Sequence, residues 1–145
     1  MAKILYVEDD GGLRKFYTMA FTAAGHDVTA CHDYKSAQQA LSGALQRQQS
    51  FDLIVSDGQY PGDTRFKKGV YADSDRNGSA CLLHDVKLLQ LPIPVAVVTL
   101  QPDFYRKNPY PAVCRAPDHI FNKMEFTAKR LAAAVPALLA GVQPN

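Results

Sequence analysis

The sequence predicts an α/β fold in a single domain covering residues 1–145: a doubly wound sheet of five parallel strands with helices on both faces. Short aliphatic runs alternate with segments of helical periodicity along the chain, the pattern of a parallel sheet flanked by helices. A length of 145 residues suits one domain with its own core. Polar residues able to carry chemistry follow the aliphatic runs, where the carboxyl ends of parallel strands form a binding crevice.

The first strand–helix unit lies at the amino-terminal end. Residues 4–7 form an aliphatic run that predicts a strand, and three acids, residues 8–10, follow it directly. Apolar residues recur at helical spacing over residues 13–24, and Gly25 is placed to cap the end of that helix. Asp10 stands where a helix N-cap is needed, so it is interpreted as a cap rather than a ligand.

A second unit precedes the clearest strand of the chain. Residues 27–31 predict a weaker strand, and either Asp33 or Ser36 can cap the helix after it. The inner face of that helix is expected to be Ala37, Ala40, Leu41, Ala44 and Leu45. Residues 51–57 contain the aliphatic run Leu53-Ile54-Val55 and end in Asp57, and glycine and proline follow within five residues, which predicts a buried parallel strand ending in a turn.

Residues 62–77 interrupt this rhythm and are predicted to be an inserted loop. They mix charged and aromatic side chains without a clear period. Loops of this length inside compact domains are usually functional or mobile. The aromatic side chains can also serve simply to pack the loop against the domain.

Regular structure is predicted again from residues 77–79, a plausible helix start. The inward residues of that helix are expected to be Leu82, Leu83, Val86 and Leu89. A β-branched run over residues 95–99 predicts the fourth strand. Residues 100–118 contain four prolines, so the fourth helix is expected to be short or broken and confined to about residues 103–107.

The carboxyl-terminal part predicts one more strand and one more helix. Residues 119–122 predict a short last strand that ends at Lys123. A final helix is expected from about Glu125, and Pro136 is expected to kink it or to end its first half. Residues 141–145 are expected to be a frayed tail.

Composition argues against several classes of function. The formal net charge is +2, from 16 basic and 14 acidic residues without a basic stripe, so nucleic-acid binding is not expected. No apolar run is long enough to span a bilayer, and no secretion leader begins the sequence. Three cysteines without a CxxC pair fit a reducing compartment, so a cytoplasmic protein that does not bind membranes is expected.

Five polar residues stand at the ends of the predicted strands: Glu8, Asp9, Asp57, Thr99 and Lys123. Because these strand ends meet at one edge of a parallel sheet, the five side chains are expected to converge. Three carboxylates repel one another unless a cation lies between them, and such oxygen ligands suit Mg²⁺. A cation and a lysine beside a carboxylate nucleophile favour phosphoryl transfer, since that reaction depends on positioning and charge neutralisation.

Four motifs, taken in order, resemble the receiver domain of two-component response regulators. They are ILYVEDD at residues 4–10, DLIVSD at 52–57 with PG at 61–62, VVT at 97–99 and FNK at 121–123. The resemblance covers nearly the whole chain and implies a flavodoxin-like fold, as in single-domain chemotaxis regulators.

The resemblance implies a role for each matching residue. Asp57 is implied to accept phosphate from a histidine kinase or a histidine phosphotransfer protein. Mg²⁺ is implied to be held by Glu8, Asp9, Asp57 and the backbone carbonyl of Gln59. The phosphoryl oxygens are implied to be bound by Thr99 and Lys123. The protein is then expected to signal by binding a downstream protein, as a monomer or weak homodimer, without turnover on an external substrate.

Three residues depart from the family pattern. Met124 replaces the proline that aims the lysine, Leu100 replaces a small residue after the threonine and crowds the site, and Ile120 replaces the aromatic switch residue. Because Ile120 has no ring to move and Pro109 and Pro111 prevent a normal fourth helix, the signal is expected to pass through residues 62–77 instead. The possible donors to a phosphoryl group in that loop are Arg65, Lys67 and Lys68.

Two other functions remain open from the sequence. The first is a pseudo-receiver, an interaction module without functional phosphorylation, which the same three departures favour. The second is an aspartyl-phosphate phosphatase of the haloacid dehalogenase kind. Such enzymes carry a second aspartate two residues after the nucleophile, and Gln59 at that position argues against this class.

Overall fold

A computed structural model describes residues 1–144 of the chain. Five strands alternate with five helices along the sequence, as predicted. Their order is β1 (Lys3–Val7), α1 (Gly11–Ala23), β2 (Asp27–Cys31), α2 (Tyr34–Gln46), β3 (Leu53–Asp57), α3 (Gly78–Leu88), β4 (Val95–Thr99), α4 (Pro102–Lys107), β5 (His119–Asn122) and α5 (Ala128–Leu139). One 3₁₀ turn, Val70–Ala72, lies between β3 and α3.

The five strands form one parallel sheet in the order β2-β1-β3-β4-β5. Its register pairs Val7 with Ser56 at the end of β1 and β3, and Thr99 with Asn122 at the end of β4 and β5. The carboxyl ends of these four strands therefore lie side by side. The predicted doubly wound fold is confirmed.

Two apolar cores lie on opposite faces of the sheet because side chains alternate along each strand. On one face, Leu5 and Ile54 pack with α2 and α3. On the other face, Ile4 and Leu53 pack with α1 and α5. The helices thus cover both faces, which keeps the ends of the strands as the part of the sheet open to a ligand.

The helix caps follow the residues that the sequence singled out. The side chain of Asp10 accepts from Leu13 N at 2.9 Å and caps α1, as predicted. Asp33 is the N-cap of α2, and Ser36 completes a capping box by bonding back to the Asp33 backbone. Gly25 lies just beyond α1 with φ of 90°, a conformation that glycine adopts readily.

One expectation about a helix end is wrong, and at Pro136 one of the two expected outcomes, an end of the helix, does not occur. The predicted inward residue Leu89 lies beyond α3, and its side chain is 50% exposed. The last helix does not stop at Pro136 but continues through it to Leu139. Val135 and Leu138, on either side of the proline, are both buried. Burial of that face stabilises the helix by more than the one missing backbone hydrogen bond costs.

The last helix also begins later than expected, at Ala128 rather than about Glu125. Thr127 is its N-cap, because the threonine hydroxyl accepts from Arg130 N at 3.3 Å. At the other end, Gly141 N donates to Leu138 O at 3.2 Å, so the predicted frayed tail starts with ordered hydrogen bonding. Asn145, the last residue of that predicted tail, lies outside the described residues.

The predicted inserted loop is anchored at both ends. Gly62 N donates to Ser74 O at 2.8 Å. The amide of Asn77, a residue only 2% exposed, donates to Asp63 O at 2.7 Å and to Tyr71 O at 2.8 Å. Tyr71 is itself buried, so the aromatic side chains do pack the loop onto the domain.

The proline-rich segment, residues 100–118, contains the short helix α4 of six residues and no other helix or strand. This agrees with the expected short fourth helix. Within residues 1–144, no helix combines the length and the apolar character required to cross a bilayer. The three cysteines in that range, Cys31, Cys81 and Cys114, are unpaired and buried, and buried free cysteines behave as small apolar residues.

Candidate functional site

The ends of four strands bring the predicted site residues together. Glu8 and Asp9 follow β1, and Asp57 is the last residue of β3. One carboxylate oxygen from each of these three acids lies within 4.8 Å of the other two. Three acids from two strands therefore form a single cluster at the edge of the sheet, as the sequence predicted.

Lys123 lies inside this cluster. Its Nζ atom is 2.6 Å from Glu8 Oε1 and 3.1 Å from Asp57 Oδ1. The side chains of Glu8 and Lys123 are only 1% and 9% exposed, so this ion pair is largely screened from water. The backbone N–H of Lys123 donates to Thr99 O at 2.9 Å, which fixes the base of the lysine against β4.

The proton affinities of these groups are shifted by burial and by one another. Burial, reinforced by the charge of Asp57, raises the pKa of Glu8, although Lys123 opposes the shift. Burial also raises the pKa of Asp9, with Glu8 as the second cause. Burial alone would lower the pKa of Lys123, but Asp57 and Glu8 outweigh it and raise that pKa.

The donor set fits a small divalent cation. Three carboxylates face one ammonium group, so the cluster keeps an excess of negative charge when all four groups are ionised. Carboxylate oxygens are ligands that Mg²⁺ prefers, and Asp9, the exposed member of the three acids, leaves one side of the site open to water. Glu8, Asp9 and Asp57 therefore form an acidic cluster that could hold a metal ion.

One oxygen of the Asp57 carboxylate carries the contacts that orient this side chain. Oδ1 accepts from Gly58 N at 2.7 Å and also receives Lys123 at 3.1 Å. The other oxygen takes part in neither contact. These two contacts hold the carboxylate in one orientation.

Asp57, Thr99 and Lys123 line an open cleft of about 200 Å³. Its other lining residues are Gln59, Leu100 and Gln101. The Thr99 hydroxyl accepts from Gln101 N at 3.0 Å, which leaves the hydroxyl proton available for donation. The cleft therefore offers a carboxylate, an ammonium and a hydroxyl donor to one small anionic group.

The three residues that depart from the family pattern lie in different surroundings. Leu100 lines the cleft but is 60% exposed, and Met124 is 77% exposed. Ile120 is half-buried and packs against the core on the α2 and α3 side of the sheet. Leu100 is thus the one of the three that borders the cleft directly.

Two basic residues of the inserted loop, Arg65 and Lys67, bind partners that do not line the cleft. Arg65 donates to Asp63 and Asp85, with N–O distances of 2.8 and 2.9 Å, and also to the hydroxyl of Tyr34. Lys67 Nζ donates to the carbonyl of Thr64 at 2.9 Å. These contacts do not support the expectation that either residue is a donor to a phosphoryl group, because both are engaged in holding the loop.

Sequence reasoning missed two buried hydroxyls behind the cleft. Ser56 Oγ donates to the carbonyl of Asp57 at 2.8 Å, and Ser79 Oγ donates to the carbonyl of Gly58 at 2.7 Å. A serine inside an otherwise aliphatic strand was the available signal for Ser56. No local signal connected Ser79 with Asp57, since the two residues lie on different elements.

Comparison with solved structures gives matches over nearly the whole chain. The receiver domain of a Francisella response regulator is 22% identical, with 97% of this chain and 98% of that chain covered and a TM-score of 0.65. The response regulator TrrA from Thermotoga maritima, solved in complex with Mg²⁺ and BeF, is 16% identical, with 95% and 99% covered and a TM-score of 0.68. The chemotaxis protein CheY4 of Vibrio cholerae is 20% identical, with 95% and 98% covered and a TM-score of 0.63.

No protein-family model and no curated protein sequence matches the chain. The fold is therefore identified from structure. It is a flavodoxin-like, doubly wound α/β fold with a carboxylate cluster and a lysine at the ends of its strands. More specifically, the chain has the fold of the response-regulator receiver domains that it matches.

Proposed function

We propose that this protein is a phosphoacceptor signalling domain of a two-component phosphorelay. Asp57 takes phosphate from a histidine kinase or a histidine phosphotransfer protein, and the product is recognised by a downstream protein. The observation that carries the proposal is the position of Lys123 Nζ, 3.1 Å from Asp57 and 2.6 Å from Glu8, in a cluster that also contains Asp9. The Mg²⁺-bound neighbour TrrA has the same fold, which supports the same cofactor here.

In the proposed reaction, an oxygen of the Asp57 carboxylate attacks the phosphorus of a phosphohistidine. A P–O bond forms, the P–N bond breaks, and the electron pair of that bond leaves with the imidazole nitrogen, which takes a proton from water. Lys123 neutralises charge on the transferred group, and the Thr99 hydroxyl donates to one of its oxygens.

In the proposed reaction, the cation would supply charge neutralisation. Held by Glu8, Asp9, Asp57 and the Gln59 carbonyl, Mg²⁺ would neutralise the phosphoryl charge that the lysine alone does not balance. Asp9 is the exposed member of the acidic trio, so the site is open to water on that side. We infer that the domain does not turn over an external substrate, because Gln59 is not a general acid. We propose that it acts as a monomer or weak homodimer.

Intact-mass analysis after incubation with acetyl phosphate tests the proposal. The wild-type protein is expected to gain the mass of one phosphate with Mg²⁺ present and none with a chelator. Asp57→Asn should abolish the adduct, because an amide oxygen is a poor nucleophile. Asp103→Asn, at an exposed position on α4, is the matched control and should leave the adduct unchanged.

A pseudo-receiver is the second candidate function. Leu100 at the border of the cleft favours it, because a large side chain there narrows the approach of a donor. In that case neither acetyl phosphate nor a kinase would produce an adduct, although the protein would remain folded and able to bind a partner.

A further inference from the structure

Two serine hydroxyls hold the backbone on both sides of Gly58. Ser56 binds the carbonyl of Asp57 at 2.8 Å, and Ser79 binds the carbonyl of Gly58 at 2.7 Å. Both serines are buried, at 0% and 1% exposure. Each carbonyl belongs to a planar peptide unit, and the two units meet at the Cα of Gly58. The backbone next to the phosphoacceptor is therefore fixed by two side chains from outside the turn itself.

Each serine also contacts the hydroxyl of a tyrosine. Ser56 Oγ lies 2.7 Å from the Tyr60 hydroxyl, and Ser79 Oγ lies 2.9 Å from the Tyr110 hydroxyl. A serine hydroxyl has a single proton, which here goes to the carbonyl, so the tyrosine must be the donor in each pair. Accepting that bond polarises the serine hydroxyl and strengthens its own donation to the carbonyl.

The two pairs differ in where the tyrosine comes from. Tyr60 is part of the turn after β3 and is 1% exposed, so it adds only local rigidity. Tyr110 belongs to the proline-rich segment and is half-buried. The Ser79–Tyr110 bond thus connects the Asp57 turn with both the start of α3 and a distant segment of the surface.

Tyr110 is also the middle ring of a stack of three tyrosines. Its ring centroid lies 5.4 Å from that of Tyr71 in the inserted loop and 5.3 Å from that of Tyr105 on α4. Tyr105 in turn lies against the turn, because a Cβ atom at Gly58 would come within 2.5 to 2.8 Å of its ring. The stack therefore extends from the phosphoacceptor turn to the inserted loop.

From this geometry we propose that Ser79 is a positioning residue for the Asp57 turn. Tyr110 controls the strength of the hydrogen bond by which Ser79 holds that turn. The inference rests on the proposed function, since the peptide unit held by Ser79 leads directly to Gln59, whose carbonyl is expected to bind the cation. Coupling between two sites is reciprocal. Cation binding at Asp57 therefore tightens Tyr110 in its stack, and a protein that displaces Tyr110 weakens the hold on the cation.

Two hydroxyl deletions and one control test this. Ser79→Ala removes the hydroxyl that donates to the Gly58 carbonyl. Tyr110→Phe removes only the hydroxyl that donates to Ser79. Tyr71→Phe keeps the stack and removes a hydroxyl that binds Asn108 O at 2.6 Å, away from the turn. Each variant is melted over a series of Mg²⁺ concentrations without a phosphodonor, and the rate of phosphate gain from acetyl phosphate is measured over the same series.

Ser79→Ala is expected to raise the Mg²⁺ concentration at half effect about threefold to tenfold, the cost of one hydrogen bond, with a smaller change in maximal rate. Tyr110→Phe should shift it in the same direction by less, and Tyr71→Phe should not shift it. A lower melting temperature with an unchanged Mg²⁺ midpoint in both variants would mean a structural role only and would overturn the proposal.

Other outcomes separate this inference from the proposed function. If the wild-type protein gains no phosphate, the proposed phosphoacceptor function is wrong. The Mg²⁺ concentrations at half effect in the thermal melts still test the roles of Ser79 and Tyr110. A shift in Ser79→Ala but none in Tyr110→Phe would overturn the link to the proline-rich segment. If Ser79→Ala does not fold, Tyr110→Phe decides the proposal, because it removes a single hydroxyl and keeps the ring in its stack.

Discussion

Lys123 lies closer to Glu8 than to Asp57, at 2.6 Å against 3.1 Å, although 115 positions separate Lys123 from Glu8 in the sequence. The lysine therefore pairs most closely with one of the acids that are proposed to hold the cation. The same contact makes the stability of the protein depend on pH.

Lys123→Met is expected to make stability fall more steeply as pH rises. Burial already raises the pKa of Glu8 above its ordinary 4.5, and loss of the lysine raises it further. A carboxyl with a raised pKa in the fold stabilises at low pH, and that contribution is lost as pH rises from 4.5 toward the folded pKa. The extra slope should reach up to about 1.4 kcal/mol per pH unit in urea titrations.

Lys129→Met on the exposed face of α5 is the control for that experiment. It should follow the pH profile of the wild-type protein. Equal slopes for wild type and Lys123→Met at pH values above 4.5 would contradict the prediction.

Mg²⁺ is expected to stabilise the wild-type fold, because a ligand that binds only the native state shifts unfolding by mass action. The gain should be about 2.7 kcal/mol at a concentration one hundredfold above the dissociation constant. Asp9→Asn removes one ligand charge, so it should reduce this gain while slightly stabilising the metal-free protein. Thermal melts with and without Mg²⁺ measure both effects. Identical gains in the two proteins would argue against Asp9 as a ligand.

Arg65→Met is expected to destabilise the fold by about 2 to 4 kcal/mol, because it leaves Asp63 and Asp85 without their shared partner. The matched control is Arg76→Met in the same loop. Arg76 is 69% exposed and lies 3.9 Å from Asp73, so its loss should change stability by less than about 0.5 kcal/mol. Urea unfolding compares the two variants, and similar losses in both would contradict the clamp assigned to Arg65.

Asp63→Asn is expected to remove a contribution to stability that the wild-type protein loses as pH falls. Hydrogen bonds from Arg65 lower the pKa of Asp63 from 3.8 to about 2. A carboxyl with a lowered pKa stabilises the fold above its unfolded value, and the contribution is lost as pH falls through the folded value. The stability difference between wild type and Asp63→Asn should therefore be full above pH 3.8 and vanish toward pH 2. A difference independent of pH would contradict this assignment.

The strands and the site could be predicted from the sequence because their signals are local. Aliphatic runs at residues 4–7, 53–57 and 95–99 mark buried parallel strands, and the polar residues that follow them must meet at one edge once those strands pair. Asp10 and Asp33 were recognisable as caps for the same reason, since a cap acts within three residues of itself.

What only the tertiary structure decided are contacts between segments far apart in the chain. The sequence contained no sign that Lys123 would lie closer to Glu8 than to Asp57. Nor did it indicate the ion pair of Arg65 with Asp85 or the hydrogen bond from Ser79 to the Gly58 carbonyl. It also left the outcome at Pro136 open, because the lost hydrogen bond is a local cost and the buried face of α5 is a gain set by the packed core. Local propensity determines where strands and caps form, whereas the choice of hydrogen-bond and ion-pair partners depends on which side chains the completed fold brings within about 3 Å of one another.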